Sequence, residues 1–350
     1  MQSLFNLAGI FNEIADFYLL SLNKDIDDHI SNQKLNQWTR GPQNENIYFV
    51  SSISPLLIAK LIREIKPNAI LLNGIFNIWT TVPGLVVGRS HSIRTIISPR
   101  GMLQDWALRR KGWKKTLFLF FLRLFLKRNE MWHATNDQEK NDIIRIFGPH
   151  QRISVAPNIP RKVSESKMVA FPDQHGIIRL VFLSLINPNK NLHLIIREVC
   201  QSTFPFILDI YGPIIDKNYW KVCQGLITSE SKVTYKGPVP PWNVPAILEA
   251  YHFFVLPTQG ENFGHAIFDA LASGVPVIIT RNTPWQKVEE NGAGFYIDLD
   301  RPDSFGQVIN RIGNLTQENY NDLRSKSTHY AKEYWATKDY YKDYAFLFES

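Results

Sequence analysis

Between residues 178 and 298 the chain alternates short apolar runs with helix-length stretches, and this alternation restricts the fold more than any other feature. The runs lie at 178–185, 205–211, 231–235, 252–256, 275–280 and 295–298, with helical spacing near 191–200, 217–227, 243–250, 263–273 and 284–290. Apolar strands that alternate with helices form a parallel sheet covered on both faces. The expected unit is a doubly wound α/β sheet, whose ligands sit beyond the carboxyl ends of the strands.

The first half reads the same way with weaker punctuation. Residues 3–16 carry Leu4, Leu7, Ile10, Phe11, Ile14 and Ala15 at helical spacing, and a strand is expected at 17–22. A polar loop at 23–42 precedes a strand at 47–50, a helix at 55–65 and strands at 69–72, 93–97, 132–134 and 152–156. Thr135-Asn-Asp-Gln138 reads as a capping box for a helix to about residue 147. The boundaries expected are a first domain at 1–160, a linker at 161–176 without periodicity, a second domain at 177–329 and a helical, aromatic-rich tail at 330–350 packing back toward the first domain. Two facing domains put the ligand in the cleft between them.

Composition excludes several classes. With 44% hydrophobic and 20% charged residues in 350, and no repeat or low-complexity tract, disorder is not expected. The two cysteines, Cys200 and Cys223, match no metal or redox spacing. No apolar run reaches the length that spans a bilayer, and no secretion signal is read at the start, so a reducing cytoplasm is the expected setting. No Ser-His-Asp arrangement or metal-ligand spacing stands out.

The chemistry concentrates in Pro257-Thr-Gln-Gly-Glu-Asn-Phe-Gly-His-Ala-Ile-Phe-Asp-Ala-Leu-Ala-Ser-Gly-Val-Pro-Val277. A buried strand ends at Pro257, a turn follows, and a helix starts near Phe263. The backbone N–H groups of Phe263, Gly264 and His265 point out of its N-terminus, where the dipole favours an anion, and Gly264 lets the anion approach. Glu261 stands at the mouth of that site and Asp269 further along the helix. Two such acids by themselves read as solvated helix charges. Around an amide-lined anion hole they suit a phosphate ester that carries hydroxyls, which describes a sugar nucleotide.

The complete string resembles the acid-x7-acid signature of the group 1 (family 4) retaining glycosyltransferases. Val181-Phe-Leu-Ser-Leu-Ile-Asn-Pro-Asn-Lys-Asn-Leu192 resembles that family's strand, diphosphate loop and lysine. Asp209-Ile-Tyr-Gly-Pro213, Tyr235-Lys-Gly-Pro-Val239, Thr283-Pro-Trp-Gln286 and Asn291-Gly-Ala-Gly-Phe295 fit in order, as do Ser98-Pro-Arg-Gly-Met-Leu103 and Trp132-His-Ala-Thr135 more weakly. The resemblance implies a GT-B fold, two Rossmann-like doubly wound domains facing across a cleft. It implies that Lys190 neutralises a donor diphosphate, that amides near Phe263–His265 bind phosphate and sugar oxygens with Asn262 beside them, that Glu261 accepts from donor-sugar hydroxyls and that Asp269 holds the ribose. Arg100, His133, Tyr211 and Gly212 are further cleft candidates, although a structural role is the commoner one for a histidine such as His133. Trp242 and Tyr211 are candidates to stack on a base. Transfer with retention, no metal or other cofactor, a nucleotide-sugar co-substrate and a glycan or lipid-linked acceptor in surface polysaccharide or lipopolysaccharide assembly complete the implication.

Three departures qualify it. Asp269 replaces the family's usual Glu and is one methylene shorter. Leu185 stands where the family carries a cation five positions before the loop lysine, a loss of about 2–4 kcal/mol of transition-state stabilisation unless Arg100 or Arg281 replaces it. The family's first strand and Gly-rich turn are missing from the start of the N-terminal domain, and a truncated N-terminus is expected in preference to a rearranged one. These departures motivate the alternative, a catalytically impaired GT-B protein acting as a membrane-associated scaffold; a sugar-nucleotide epimerase is a weaker rival, because the lysine loop and the acidic string match the transferase together.

From Arg100 to Glu130 there are nine Lys/Arg against Asp105 and Glu130, a surplus equal to the net charge of +7 for the whole chain. Trp106, Trp113 and the run 117–126 lie among those cations. A buried helix with a basic flank and an interfacial patch on anionic lipid both fit this segment. The second makes the protein peripheral on the inner face of the membrane. No nucleic-acid module surrounds the patch, so nucleic acid is not an expected partner.

Overall fold

The computed structural model describes residues 2–23, 34–109, 112–126, 130–163, 176–228, 232–301 and 303–348. The linker expected at 161–176 and the polar loop at 23–42 therefore lie partly outside the described residues.

The chain enters through α1 (Gln2–Phe11), which buries Leu7, Ala8 and Phe11, one turn apart. Strands β1 (Tyr18–Leu22), β2 (Trp38–Arg40) and β3 (Asn46–Val50) form one sheet in the order β1-β3-β2, with β1 parallel and β2 antiparallel to β3. Ser54 caps α2 (Pro55–Ile65) by accepting from the Leu57 amide, and Pro55 fits the first turn, where no amide hydrogen is required. A second sheet holds β4 (Ala69–Asn73), β5 (Arg94–Ser98), β6 (Met131–Ala134) and β7 (Arg152–Val155), all parallel. Between its strands run α3 (Ile78–Ser90), α4 (Asp105–Arg109), α5 (Gly112–Phe125) and α6 (Asp137–Phe147).

The doubly wound N-terminal sheet expected from the sequence is thus divided in two. Among the described residues β1 pairs only with β3 and β4 only with β5. The same helices cover both halves, because Leu20 of β1 and Ile70 of β4 pack on one cluster with Ile58, Ile62 and Val87. On the opposite face Phe17 and Leu71 share a cluster with Leu7 and Phe11. The two sheets thus share a common covering without a common ladder among the described residues.

The second domain has one sheet. Strands β8 (Ile178–Leu183), β9 (Phe206–Tyr211), β10 (Val233–Gly237), β11 (Phe253–Leu256), β12 (Val277–Thr280) and β13 (Gly294–Ile297) are all parallel, in the order β10-β9-β8-β11-β12-β13. Helices α7 (Leu192–Gln201), α8 (Lys217–Gly225), α9 (Val244–Leu248), α10 (His265–Ala272) and α11 (Ser304–Gly313) connect or cover it. Every residue of β11, β12 and β13 is buried, as strands apolar on both faces require. The tail is two helices, α12 (Gln317–Ala336) against α10 and α13 (Tyr340–Phe348) against β7. The tail at 330–350 thus comprises the last turns of α12, where Trp335 joins the cluster of Leu7, Phe11 and Ile96, and α13. There Arg94 donates to the carbonyls of Phe346 and Leu347, both at 3.2 Å, and the Tyr344 hydroxyl to that of Pro157 at 3.0 Å.

Local readings need correction in four places. No helix forms at 284–290; turns closed by Asn291 to Lys287 and Gly292 to Glu289 carry the chain there, anchored by the buried Trp285. The cap of α6 falls one residue later than expected: Asn136 accepts from the Glu139 amide at 2.8 Å while the Glu139 carboxylate takes the Thr135 amide at 2.7 Å. Helix α3 was not anticipated, because Pro83 and two glycines interrupt its sequence and no stripe marks one face. Helix α10 starts at His265 instead of Phe263, with Gly264 before it at φ +77°.

Candidate active site

The strand order of the second sheet reverses between β8 and β11, so the chain leaves their carboxyl ends in opposite directions and opens a crevice there. One wall is the loop 184–191 after β8. Its Asn187 side chain accepts from the Asn189 amide at 3.0 Å, and Asn191, at φ +50°, turns the chain into α7. The other wall is the loop 257–264 after β11. Asn191 Nδ2 donates to the Pro257 carbonyl at 2.7 Å and the Gln259 amide to the Asn189 carbonyl at 2.8 Å, which stitches the two loops together.

This stitching brings Lys190 onto Glu261. Lys190 is 7% exposed, and its ammonium pairs directly with the Glu261 carboxylate, with Thr258 Oγ1 3.3 Å away. A buried cation requires such a partner. Above the pair opens a cavity of about 320 Å³ lined by Leu183, Ser184, Leu185, Gly212, Gly264 and His265 as well as by the pair itself. Gly212 sits at φ +130°, and a Cβ there would collide with the Ser184 carbonyl, so only glycine lets the loops after β8 and β9 meet. At the far side Ile267 and Phe268 donate to the Gly264 carbonyl, and the first two amides of the helix, His265 and Ala266, have no backbone partner among the described residues.

The expected site residues divide between the two sides of the cleft. The Phe263 side chain is buried among Trp285, Phe268 and Tyr334, and its carbonyl accepts from Trp285 Nε1 at 2.6 Å, which fixes the start of α10. Asn262 faces the first domain, accepting from Thr135 Oγ1 at 3.1 Å and Asn136 Nδ2 at 3.4 Å. Asp269 is 2% exposed; Arg161 Nε donates to one oxygen at 3.0 Å and Gln2 Nε2 to the other at 2.9 Å. Burial pushes its pKa up, and the Arg161 guanidinium opposes that shift.

On the first domain's side, Arg100 adopts φ +56° at the end of β5, a conformation that costs a non-glycine residue about 1 kcal/mol or more. Its Nε donates to Asn73 at 2.9 Å and Nη1 to Asn158 Oδ1, while Nη2 is buried without a hydrogen-bond partner among the described residues. Ser3 Oγ donates to the same Asn158 oxygen at 3.0 Å and lies 2.6 Å from His265 Nε2. The serine hydrogen is thereby committed, so Nε2 carries the imidazole hydrogen and Nδ1 is the bare acceptor. Burial, then the charge of Arg100, pushes the His265 pKa down to about 3.

His133 is a strut, not a wall of the cleft. It is wholly buried, accepting from Ser98 at 3.0 Å and donating to the Ala156 carbonyl at 2.8 Å, and burial followed by the Arg100 charge lowers its pKa to about 3. Tyr211 bonds Tyr251 at 3.0 Å beside the cavity, and Trp242 is 62% exposed outside it. Arg281 stacks 4.1 Å over Tyr296 in a neighbouring cavity. Sequence reasoning missed Gln2, Ser3 and Arg161, which join the domains, and Asn158, which holds Ser3 and Arg100 within the first; each is a lone polar residue with no local pattern, found only through a partner distant in the chain.

A family profile described as glycosyl transferases group 1 matches residues 178–314, and one described as glycosyl transferase 4-like domain matches residues 40–159. The chain is a group 1 glycosyltransferase of GT-B fold. O-antigen chain mannosyltransferase B of Escherichia coli is 27% identical to it over 192 residues, 50% of this chain and 49% of that one. O-antigen chain mannosyltransferase RfbU of Salmonella typhimurium is 24% identical over 250 residues, 70% of this chain and 64% of that one. The glycosyltransferase thus spans about half the length of the first relative and under two-thirds of the second. Among solved structures, Anabaena HepE in complex with UDP and glucose superposes with a TM-score of 0.70 at 15% identity, covering 99% of this chain and 93% of that one. Sucrose-phosphate synthase of Thermosynechococcus elongatus superposes equally, TM-score 0.70 at 11% identity, covering 97% and 88%. At these identities the two structures carry the fold of the glycosyltransferase and nothing finer.

Proposed function

We propose that this glycosyltransferase moves a hexosyl group from a nucleotide sugar to a glycan or lipid-linked acceptor, with retention of anomeric configuration, in surface polysaccharide or lipopolysaccharide assembly. The observation that carries the reading is the buried Lys190–Glu261 pair at the base of the switch-point cavity. A donor diphosphate competes for the lysine and releases Glu261, whose oxygens then accept from sugar hydroxyls. The departing nucleoside diphosphate meets Lys190 and the open amides of His265 and Ala266, so the charge that develops on it is met without a metal ion. Asp269 lies one turn into the same helix and holds the ribose once Gln2 gives way. The names of the two mannosyltransferase relatives support a mannosyl donor as the first to test. The setting proposed is the cytoplasmic face of the inner membrane, with the basic segment 100–130 toward anionic lipid; among the described residues no helix is long and apolar enough to cross a membrane.

The test is a thermal-shift and calorimetry panel of GDP- and UDP-hexoses on the wild-type chain and on Glu261→Ala, followed by sugar transfer to a glycan acceptor. We expect one donor to stabilise the wild-type chain, and Glu261→Ala to stay folded at the assay temperature, with a lowered melting temperature because the buried Lys190 loses its partner, and to lower turnover about 100-fold or more. Normal turnover by the folded variant removes Glu261 from the site. A folded chain that binds no donor leaves the scaffold reading, which Leu185 at the cavity lip favours.

A further inference from the structure

Helices α3 and α5 lie side by side and run in the same direction. Phe76, just before α3, packs on Phe118 with ring centroids 5.9 Å apart, and Arg89 in the last turn of α3 covers the Phe125 ring at 4.5 Å and donates to its carbonyl at 2.9 Å. Leu119 and Leu122 secure α5 to the first domain's core, with Ile75 and Leu85 beside them. The outer faces remain uncovered. On α5, Trp113, Leu117, Phe121 and Leu124 recur every three to four residues with Phe120 beside them, and on α3 Trp79 and Val86 lie two turns apart; their exposure runs from 47% at Val86 to 72% at Trp113.

We infer that α3 and α5 form one lipid-docking face that seats the mouth of the cleft on an anionic bilayer. Charge selects that occupant. Residues 106–129 contain eight Lys/Arg and no Asp or Glu, and α3 contains no acidic residue. Lys114 and Arg123 are exposed beside the aromatic stripe. Two copies meeting through this face would set Lys114 and Arg123 against their counterparts, whereas an anionic surface neutralises them while the aromatic rings enter the headgroup region. Position gives the face a purpose. Phe76 follows the carboxyl end of β4, so α3 starts at the cleft end of the sheet, and a lipid-anchored acceptor would enter without leaving the bilayer. That last step rests on the proposed transfer reaction, while the docking itself does not.

The experiment is co-sedimentation of the full chain with phosphatidylcholine vesicles, with and without about 30% phosphatidylglycerol. The variants are Phe120→Ser with Phe121→Ser on α5, Trp79→Ser on α3, and Lys114→Glu with Arg123→Glu. All five side chains replaced are exposed, so unchanged melting temperatures serve as the folding control. We expect the wild-type chain to prefer the anionic vesicles, each apolar variant to lose about tenfold in partitioning, and the charge reversal to remove the preference. Wild-type-like binding by Trp79→Ser overturns the two-helix face. Failure of the wild-type chain to bind anionic vesicles, or a dimer that the same variants dissociate, overturns lipid as the occupant. Vesicle binding needs no donor, so a chain that docks but transfers no sugar keeps this face and loses only the proposed reaction.

Discussion

The two domains solve the same architectural problem with different success. In the second, six parallel strands form one uninterrupted ladder, and β8 and β11 at its centre carry the lysine and acidic loops. In the first, the strands divide into groups of three and four. Strand β4, which would be interior in an undivided sheet, leaves Ala69, Ile70 and Leu71 only half buried. A ladder gives each backbone group a partner and each side chain two neighbours, so an interrupted ladder weakens packing even where the covering helices are in place. The side that bears Lys190 and Glu261 therefore rests on a continuous ladder. The opposing side relies on polar ties: Arg100 to Asn73 and Asn158, and the Glu139 carboxylate to Gly101 and Thr135.

The largest test of this contrast is a matched pair. Leu180→Ala in β8, fully buried, should cost about 3–4 kcal/mol, and Leu71→Ala in β4 about 1–2 kcal/mol, read from urea unfolding. Equal losses would mean that β4 is as well packed as β8. Next is pH, because each domain holds a histidine kept neutral, His133 in the first and the half-buried His265 at the cleft in the second, whose folded pKa of about 3 lies below the ordinary value of 6.5. The unfolded chain takes up these protons as pH falls below 6.5 and the folded chain does not. The stability they contribute is complete above 6.5 and is lost toward pH 3, at up to about 1.4 kcal/mol per pH unit for each histidine. Unfolding between pH 7.5 and 4.5 should show the slope, and His133→Gln or His265→Gln should each reduce it by about half. Asp269, whose pKa is raised, works in the opposite sense as it protonates and is common to both variants. The smallest effect is expected from Leu185→Arg, which supplies a second cation at the cavity lip. At 38% exposure its charge is partly screened, so donor affinity should rise about three- to tenfold by calorimetry. No rise would show that the site is complete with one lysine.

Legibility followed the same division. The strands of the second domain were readable because each is apolar and bounded by Gly, Pro or Asn, and Lys190, Glu261 and Gly264 were readable because they belong to one local string on each side of the switch point. Helix α3 was hidden by Pro83 and by apolar residues with no single stripe. Phe263 is expected at the anion site through its backbone amide; that its ring packs in a cage with Trp285, Phe268 and Tyr334 depends on residues too distant for a local pattern to show.

The sequence by itself determined the alternation of strands and helices, the parallel second sheet and the loops that bear the lysine and the acids, because these depend on periodicity and on residues a few positions apart. Tertiary structure alone decided that Lys190 and Glu261 neutralise each other, that Asp269 is held by Arg161 and Gln2, and that α3 joins α5 at the surface. Those outcomes depend on residues separated by 71, 108 and 267 positions, and on helices brought together by packing, where no local pattern reaches.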